Sequence, residues 1–192
     1  MTLLVGVFVG GQARRFGGIA KGLLSAPGGS QTLVQRLVGV ARDAWPESDV
    51  VLVGARDAYA HLDLEVVRDD PEGIGPLGGL RALLGRANRD AGEAIALACD
   101  LPYVTSSVLG RLHPMDRAVD AVAPRIGGYW QPLCASYRAA PCLEAVERVL
   151  LAGHRALHAV LDDLGARAHA LSLDPEQSRA LRDWDSPSDI SE

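Results

Sequence analysis

Leu3-Leu4-Val5-Gly6-Val7-Phe8-Val9-Gly10-Gly11-Gln12-Ala13-Arg14-Arg15-Phe16-Gly17-Gly18-Ile19-Ala20-Lys21-Gly22 changes character halfway along its length. Residues 3–9 are a continuous apolar run ending in two glycines, the pattern of a strand buried on both faces. The remainder is glycine-rich and basic. Four glycines within nine residues let the backbone turn sharply and bring its N–H groups near an anion. Arg14, Arg15 and Lys21 add the fixed positive charge that a polyphosphate needs more than a neutral ligand does. Taken alone, such a loop also suits a solvated surface. It contains neither G-x-x-x-x-G-K-[ST] nor a G-x-G-x-x-G ahead of a helix.

Working outward, residues 32–45 carry apolar side chains at helical spacing, with Leu33, Leu37, Val40 and Ala44 on one side and Pro46 as the stop. Strands are expected at 50–53 and 64–67, and a helix over 76–87 with proline in its first turn. A fourth buried strand at 94–99 runs into Asp100-Leu101-Pro102. A helix over 105–112 follows, capped by Thr105 or Ser106. Residues 118–123 and 130–137 read as strands around Gly127-Gly128, 141–152 and 156–164 as helices broken at Gly153, and 167–171 as a late strand. From Asp174 onward the chain is acidic and polar, and is expected to wrap the surface. Strands alternating with helices predict an α/β domain with a mostly parallel central sheet, helices on both faces and right-handed crossovers. Without an internal repeat or linker, residues 1–192 read as one domain.

In such sheets ligands lie beyond the carboxyl ends of the strands. That rule picks out the 10–22 loop, Asp69-Asp70 and Asp100. A carboxylate held by a Leu-Pro turn directly after a buried strand suits Mg²⁺ beside bound phosphates, because magnesium favours one or two carboxylates plus phosphate oxygens. Asp69 and Asp70 fit either a ribose or base contact or a solvated turn before Pro71. Gly73-Ile74-Gly75-Pro76-Leu77-Gly78-Gly79-Leu80 fits either a small-residue wall for a flat base or sugar, or tight packing of a helix on the sheet.

Composition narrows the function classes. A net charge of −5 argues against a general nucleic-acid binder, and no apolar run approaches the ~20 residues of a membrane-spanning helix. The N-terminal stretch lacks the pattern of a signal peptide. Cys99, Cys134 and Cys142 are odd in number and widely separated, as expected of buried, reduced thiols in a cytoplasmic protein. His154 and His158 are four apart but no third ligand accompanies them, and they read as surface residues. Trp45, Trp130 and Trp184 read as packing residues.

Gly10-Gly11, Arg15-Phe16-Gly17 and Lys21-Gly22 resemble the G-G-x-x-x-R-[MF]-G-x-x-K-[GP] signature of the molybdenum cofactor guanylyltransferases and their MobA-like relatives. Further blocks follow in the family's order: Gly75-Pro76-Leu77-x-Gly79-Leu80, Cys99-Asp100-Leu101-Pro102-Tyr103, Gln131-Pro132-Leu133-Cys134-Ala135 and Gly153-His154-Arg155-Ala156-Leu157. Asp185-Ser186-Pro187-Ser188-Asp189 stands where members carry an Asn-Thr-Pro-Glu-Asp-like ending. The resemblance implies a Rossmann-like nucleotidyltransferase fold and transfer of GMP from GTP to the phosphate of molybdopterin, with pyrophosphate leaving. It implies that Phe8, Val9, Gly10, Gly11, Asp69 and Gly79 line the nucleotide site, that Arg15 and Lys21 hold phosphates, and that Asp100 binds Mg²⁺. Arg15, Lys21 and Asp100 would then carry the chemistry; Arg155, although its block is a family one, is not assigned to the site, and contact with the pterin acceptor is one of its open readings. The implied catalytic unit is a monomer or weak homo-oligomer, with transient contacts to other cofactor-biosynthesis proteins or apo-molybdoenzymes. Three positions depart from the family: Ala20 for aspartate, Gly54 for an asparagine found in some members, and Asp185 for asparagine. Two other readings stay open. One is a cytidylyl or sugar/alcohol-phosphate transferase, against which Gly10-Gly11 favours the guanylyl side. The other is a non-catalytic nucleotide-binding regulator, against which Arg15, Lys21 and Asp100 together argue.

Overall fold

The computed structural model describes residues 3–10, 20–54, 57–90, 92–113 and 115–191. In chain order the elements are β1 (Leu4–Phe8), α1 (Leu33–Ala44), β2 (Asp49–Val53), β3 (Val66–Val67), α2 (Pro76–Asp90), β4 (Glu93–Ala98) and α3 (Ser106–Leu109). They continue with β5 (Ala121–Ile126), β6 (Tyr129–Trp130), β7 (Cys134–Arg138), α4 (Ala139–Leu151), α5 (His158–Leu164), β8 (Ala168–Leu171) and α6 (Pro175–Ala180). The sheet order is β3-β2-β1-β4-β7-β5-β6, with β8 parallel to β5. β1 lies parallel to both β2 and β4, and β3 parallel to β2. β7 runs antiparallel between β4 and β5. The chain order reverses between β1 and β4, so the crevice at their carboxyl ends is the topological switch point.

Side-chain alternation in β1 divides the core. Leu4 and Phe8 face α2, α4 and α5, whereas Val5 and Val7 face α1 and α3. On the first face the right half of the sheet is paved with Ala94, Ala96, Ala121, Ala123 and Ala135, which lets α4 settle close through Ala139 and Ala145. α1 forms for local reasons. Thr32 and Gln35 make a reciprocal capping box, and Leu33, Val34, Leu37, Val38 and Ala41 form its buried stripe.

Several expected boundaries move. Residues 130–137 are two strands rather than one. Gln131, Pro132 and Leu133 turn between them, Cys134 N–H bonds Gln131 C=O at 3.0 Å, and Pro132 has no N–H to offer a ladder. The strand expected at 118–123 is Ala121–Ile126, that at 64–67 shrinks to Val66–Val67, and the helix over 105–112 is α3 followed by a 3₁₀ turn. Thr105, not Ser106, supplies the cap. The tail is more than a surface wrap. It forms α6 behind a capping box of Asp174 and Gln177, and it buries Leu181 and Trp184. All three cysteines are buried free thiols, and burial pushes each of them up to about 12. His154 and His158 are exposed. No helix among the described residues is long and apolar enough to cross a membrane.

Candidate active site

Four parallel strands end on one rim and deliver the candidate residues there. Phe8 C=O accepts from Cys99 N–H at 3.2 Å, and Val9 N–H donates to Val53 C=O at 3.0 Å, so these main-chain groups are held in the sheet at the mouth of the site. Phe8 and Val9 are buried and Gly10 is exposed at the mouth, which makes Gly10 the residue of the three that offers its backbone outward. Gly11 and Arg15 lie outside the described residues.

Lys21 stands at the start of a 3₁₀ turn, Lys21–Leu23, closed by Leu23 N–H to Ala20 C=O at 2.9 Å and Leu24 N–H to Lys21 C=O at 3.0 Å. A bridge between Ser25 and Thr32 then ties this turn to the cap of α1. From that support the Lys21 Nζ reaches Asp100 Oδ2 at 2.9 Å and Asp185 Oδ1 at 3.2 Å. Burial alone would lower the ammonium's pKa, but its hydrogen bonds and charge contacts with Asp100 and Asp185 outweigh this and hold it above the usual value. Asp100 stands two residues beyond the end of β4, in the turn that follows it. Because Thr105 caps α3, Asp100 is not spent on a helix terminus.

The other wall comes from β2, β3 and α2. Gly54 has φ +96°, and a Cβ there would stand 3.0 Å from the Gly10 N and Cα; the position admits no ordinary side chain. Gly79 packs against the sheet. A Cβ on it would meet the Phe8 ring and Val53 at 2.9 Å and the Asp69 Oδ1 at 3.1 Å. The packing reading of Gly78-Gly79 therefore holds locally, and Gly79 borders the site by fixing how closely α2 approaches Phe8 and Asp69. Asp69 is half-buried; desolvation first, then the charge of Glu72, pushes its carboxyl above the usual value. Asp70 separates from it, exposed and paired with Arg81 at 2.5 Å. Arg155 is exposed in the connection between α4 and α5. β7 runs downward and α4 climbs back, so this connection lies on the same rim as the other residues.

The tail brings the departing motif at Asp185, expected at the pocket or its rim, directly onto Lys21, and adds Asp183, which the sequence did not single out. Trp184 is buried against Ala26 and Leu33, meets Tyr103 edge-on at 6.2 Å, and donates its backbone N–H to Asp100 C=O at 3.1 Å. This places Asp183 and Asp185 beside Lys21. The Asp183 carboxyl is raised, first by desolvation, then by the charges of Asp185 and Asp100, with Lys21 opposing. A lone tryptophan in an acidic tail was the available signal, since such a ring is driven to dock somewhere apolar. Trp45 and Trp184 are packing residues as expected, and Trp130 is half-buried under Arg125, donating Nε1–H to Asp162 at 3.0 Å.

The chain matches the MobA-like NTP transferase domain over residues 5–170. It is 31% identical over 186 residues to a probable molybdenum cofactor guanylyltransferase of Opitutus terrae, covering 95% of this chain and 90% of that one. A probable molybdenum cofactor guanylyltransferase of Pelotomaculum thermopropionicum is 31% identical over 146 residues, 76% of this chain and 68% of its own. The crystal structure of molybdopterin-guanine dinucleotide biosynthesis protein A from Archaeoglobus fulgidus superposes with a TM-score of 0.74 at 25% identity, covering 98% of this chain and 95% of that chain.

Proposed function

Because the chain belongs to the MobA-like NTP transferase family, we propose that this nucleotidyltransferase moves GMP from GTP to the terminal phosphate of molybdopterin. An acceptor phosphate oxygen attacks the α-phosphorus in line, the bond from that phosphorus to the bridging oxygen of the β-phosphate breaks, and pyrophosphate leaves. The observation that carries this reading is the Lys21 ammonium on the Asp100 carboxylate at the switch point between β1 and β4. Both reactants are anions, so neutralising charge and holding the groups in line supply most of the rate.

Asp100 is the residue that would hold Mg²⁺. Its Oδ2 already carries one cation, the Lys21 ammonium, and its side chain is one-fifth exposed, which fits a carboxylate open to a metal. Bound there, the ion would neutralise charge on the transferred phosphate. Lys21, freed from that oxygen, turns its charge to the phosphates; Arg15 adds a bidentate donor. Asp69 accepts from a nucleotide hydroxyl or amine, Gly10 and Gly11 offer backbone, and Arg155 meets the acceptor from the far side of the rim. The same reading has the enzyme working in the cytoplasm as a monomer or weak homo-oligomer, handing its product to other cofactor-biosynthesis proteins or apo-molybdoenzymes.

The test is pyrophosphate release with molybdopterin and each of GTP, CTP, ATP and UTP under Mg²⁺. GTP alone should support turnover, and Asp100→Ala should abolish it with the melting temperature little changed. Turnover with CTP but not GTP would replace the guanylyl reading by the cytidylyl one, and near-normal turnover in Asp100→Ala would remove Asp100 from the metal.

A further inference from the structure

Asp185 is presented to Lys21 by a built arrangement rather than by a loose tail. Trp184, one residue earlier, is buried and hydrogen-bonded to Asp100 C=O. Four residues later, the Asp189 Oδ2 accepts from the Asp185 N–H at 2.9 Å, the Ser186 N–H at 2.6 Å and the Ser186 hydroxyl at 2.9 Å. Between these anchors the Asp185 carboxylate is fixed 3.2 Å from the ammonium that also holds Asp100. Asp183 lies within the field of the same groups. Among the described residues, the Lys21 charge thus acts on three carboxylates, those of Asp100, Asp185 and Asp183.

We propose that Asp185 makes this site selective for the metal-loaded triphosphate: it holds and neutralises Lys21 until a divalent cation takes over Asp100. This deepens, and rests on, the nucleotidyl-transfer reading above. A fully ionised triphosphate arriving without metal meets an ammonium already committed to two carboxylates, and it meets the negative charge of those carboxylates as well. A metal-loaded triphosphate brings its own positive charge to Asp100. Lys21 then loses one of these two partners and can swing to phosphate while Asp185 stays as its counter-charge. Asparagine in place of Asp185 keeps the shape and one hydrogen-bond acceptor for Lys21 but removes the competing charge. The pair is partly exposed, so the effect is about tenfold rather than many orders of magnitude.

The experiment is calorimetric titration of GTP into the full chain, once with Mg²⁺ and once with EDTA, for the wild type and for Asp185→Asn. The wild type should bind metal-free GTP at least about tenfold more weakly than Mg²⁺-GTP, and that ratio should fall about tenfold in Asp185→Asn through tighter metal-free binding. A wild type that binds both forms alike, or a ratio left unchanged by Asp185→Asn, overturns the proposal while leaving the nucleotidyl-transfer reading standing. A wild type that binds GTP in neither condition overturns both.

Discussion

At the scale of single residues the site turns on how one ammonium is shared. Lys21 is held between Asp100 and Asp185, and its protonated form is favoured in the folded chain. Its stabilising contribution is present below the unfolded lysine pKa of ~10.4 and is lost as pH rises through the higher folded value. Around neutrality Lys21 is therefore charged, as a phosphate ligand must be. Lys21→Ala should weaken Mg²⁺-GTP binding by about tenfold or more in calorimetry, because a charge-assisted contact to phosphate disappears. Unchanged affinity would place Lys21 outside the binding site.

At the scale of elements, two local devices set the geometry and can be broken separately. The Thr32–Gln35 box starts α1 and, through the Ser25–Thr32 bridge, steadies the turn that carries Lys21. Thr32→Ala should cost about 1 kcal/mol in urea denaturation, the usual value of an N-cap. Helix α2 reaches the sheet through Gly79, where an added methyl group would stand 2.9 Å from the Phe8 ring and from Val53. Gly79→Ala should cost about 2 kcal/mol by overpacking. It should also weaken GTP binding, since the same contact sets the position of Asp69 and Phe8. Loss of stability with unaltered GTP affinity would show that α2 packs independently of the nucleotide wall.

At the scale of the whole molecule, the rim opposite the site is locked by charge. The Asp120 side chain, 4% exposed, accepts from Arg167 Nη2 at 2.7 Å and from Arg167 Nε, and lies 3.9 Å from Arg138 Nη1. Arg138 reaches Glu93 at 3.5 Å, and Glu93 pairs with His113 at 2.8 Å. The hydrogen bonds from Arg167 hold the Asp120 carboxyl below its usual value, against its own desolvation. Its stabilisation is therefore complete above the unfolded carboxylate pKa of ~4 and lost as pH falls through the lower folded value. The melting temperature of the wild type should accordingly drop more steeply below about pH 4 than that of Asp120→Asn, while near pH 7 the variant should be less stable by about 2 kcal/mol. Parallel melting curves across that range would deny Asp120 this role.

What the chain determined by sequence alone was local. An apolar run before glycines makes β1 and its loop, helical spacing behind Thr32 makes α1, and an aspartate after a buried run makes Asp100 a strand-end carboxylate. These follow from side-chain periodicity and backbone freedom within a few residues. Tertiary structure decided what depends on distant partners: β7 inserted antiparallel between β4 and β5, the break at Pro132, and the division of labour between half-buried Asp69 and exposed Asp70. It also brought the acidic tail back to the site, 164 residues along the chain from Lys21, because Trp184 found its apolar seat beside Tyr103 and Leu33. Strand pairing and ring burial are settled by surfaces that no window of sequence contains, and so Asp185 reads from sequence as a departure from a motif and from structure as a counter-charge to Lys21.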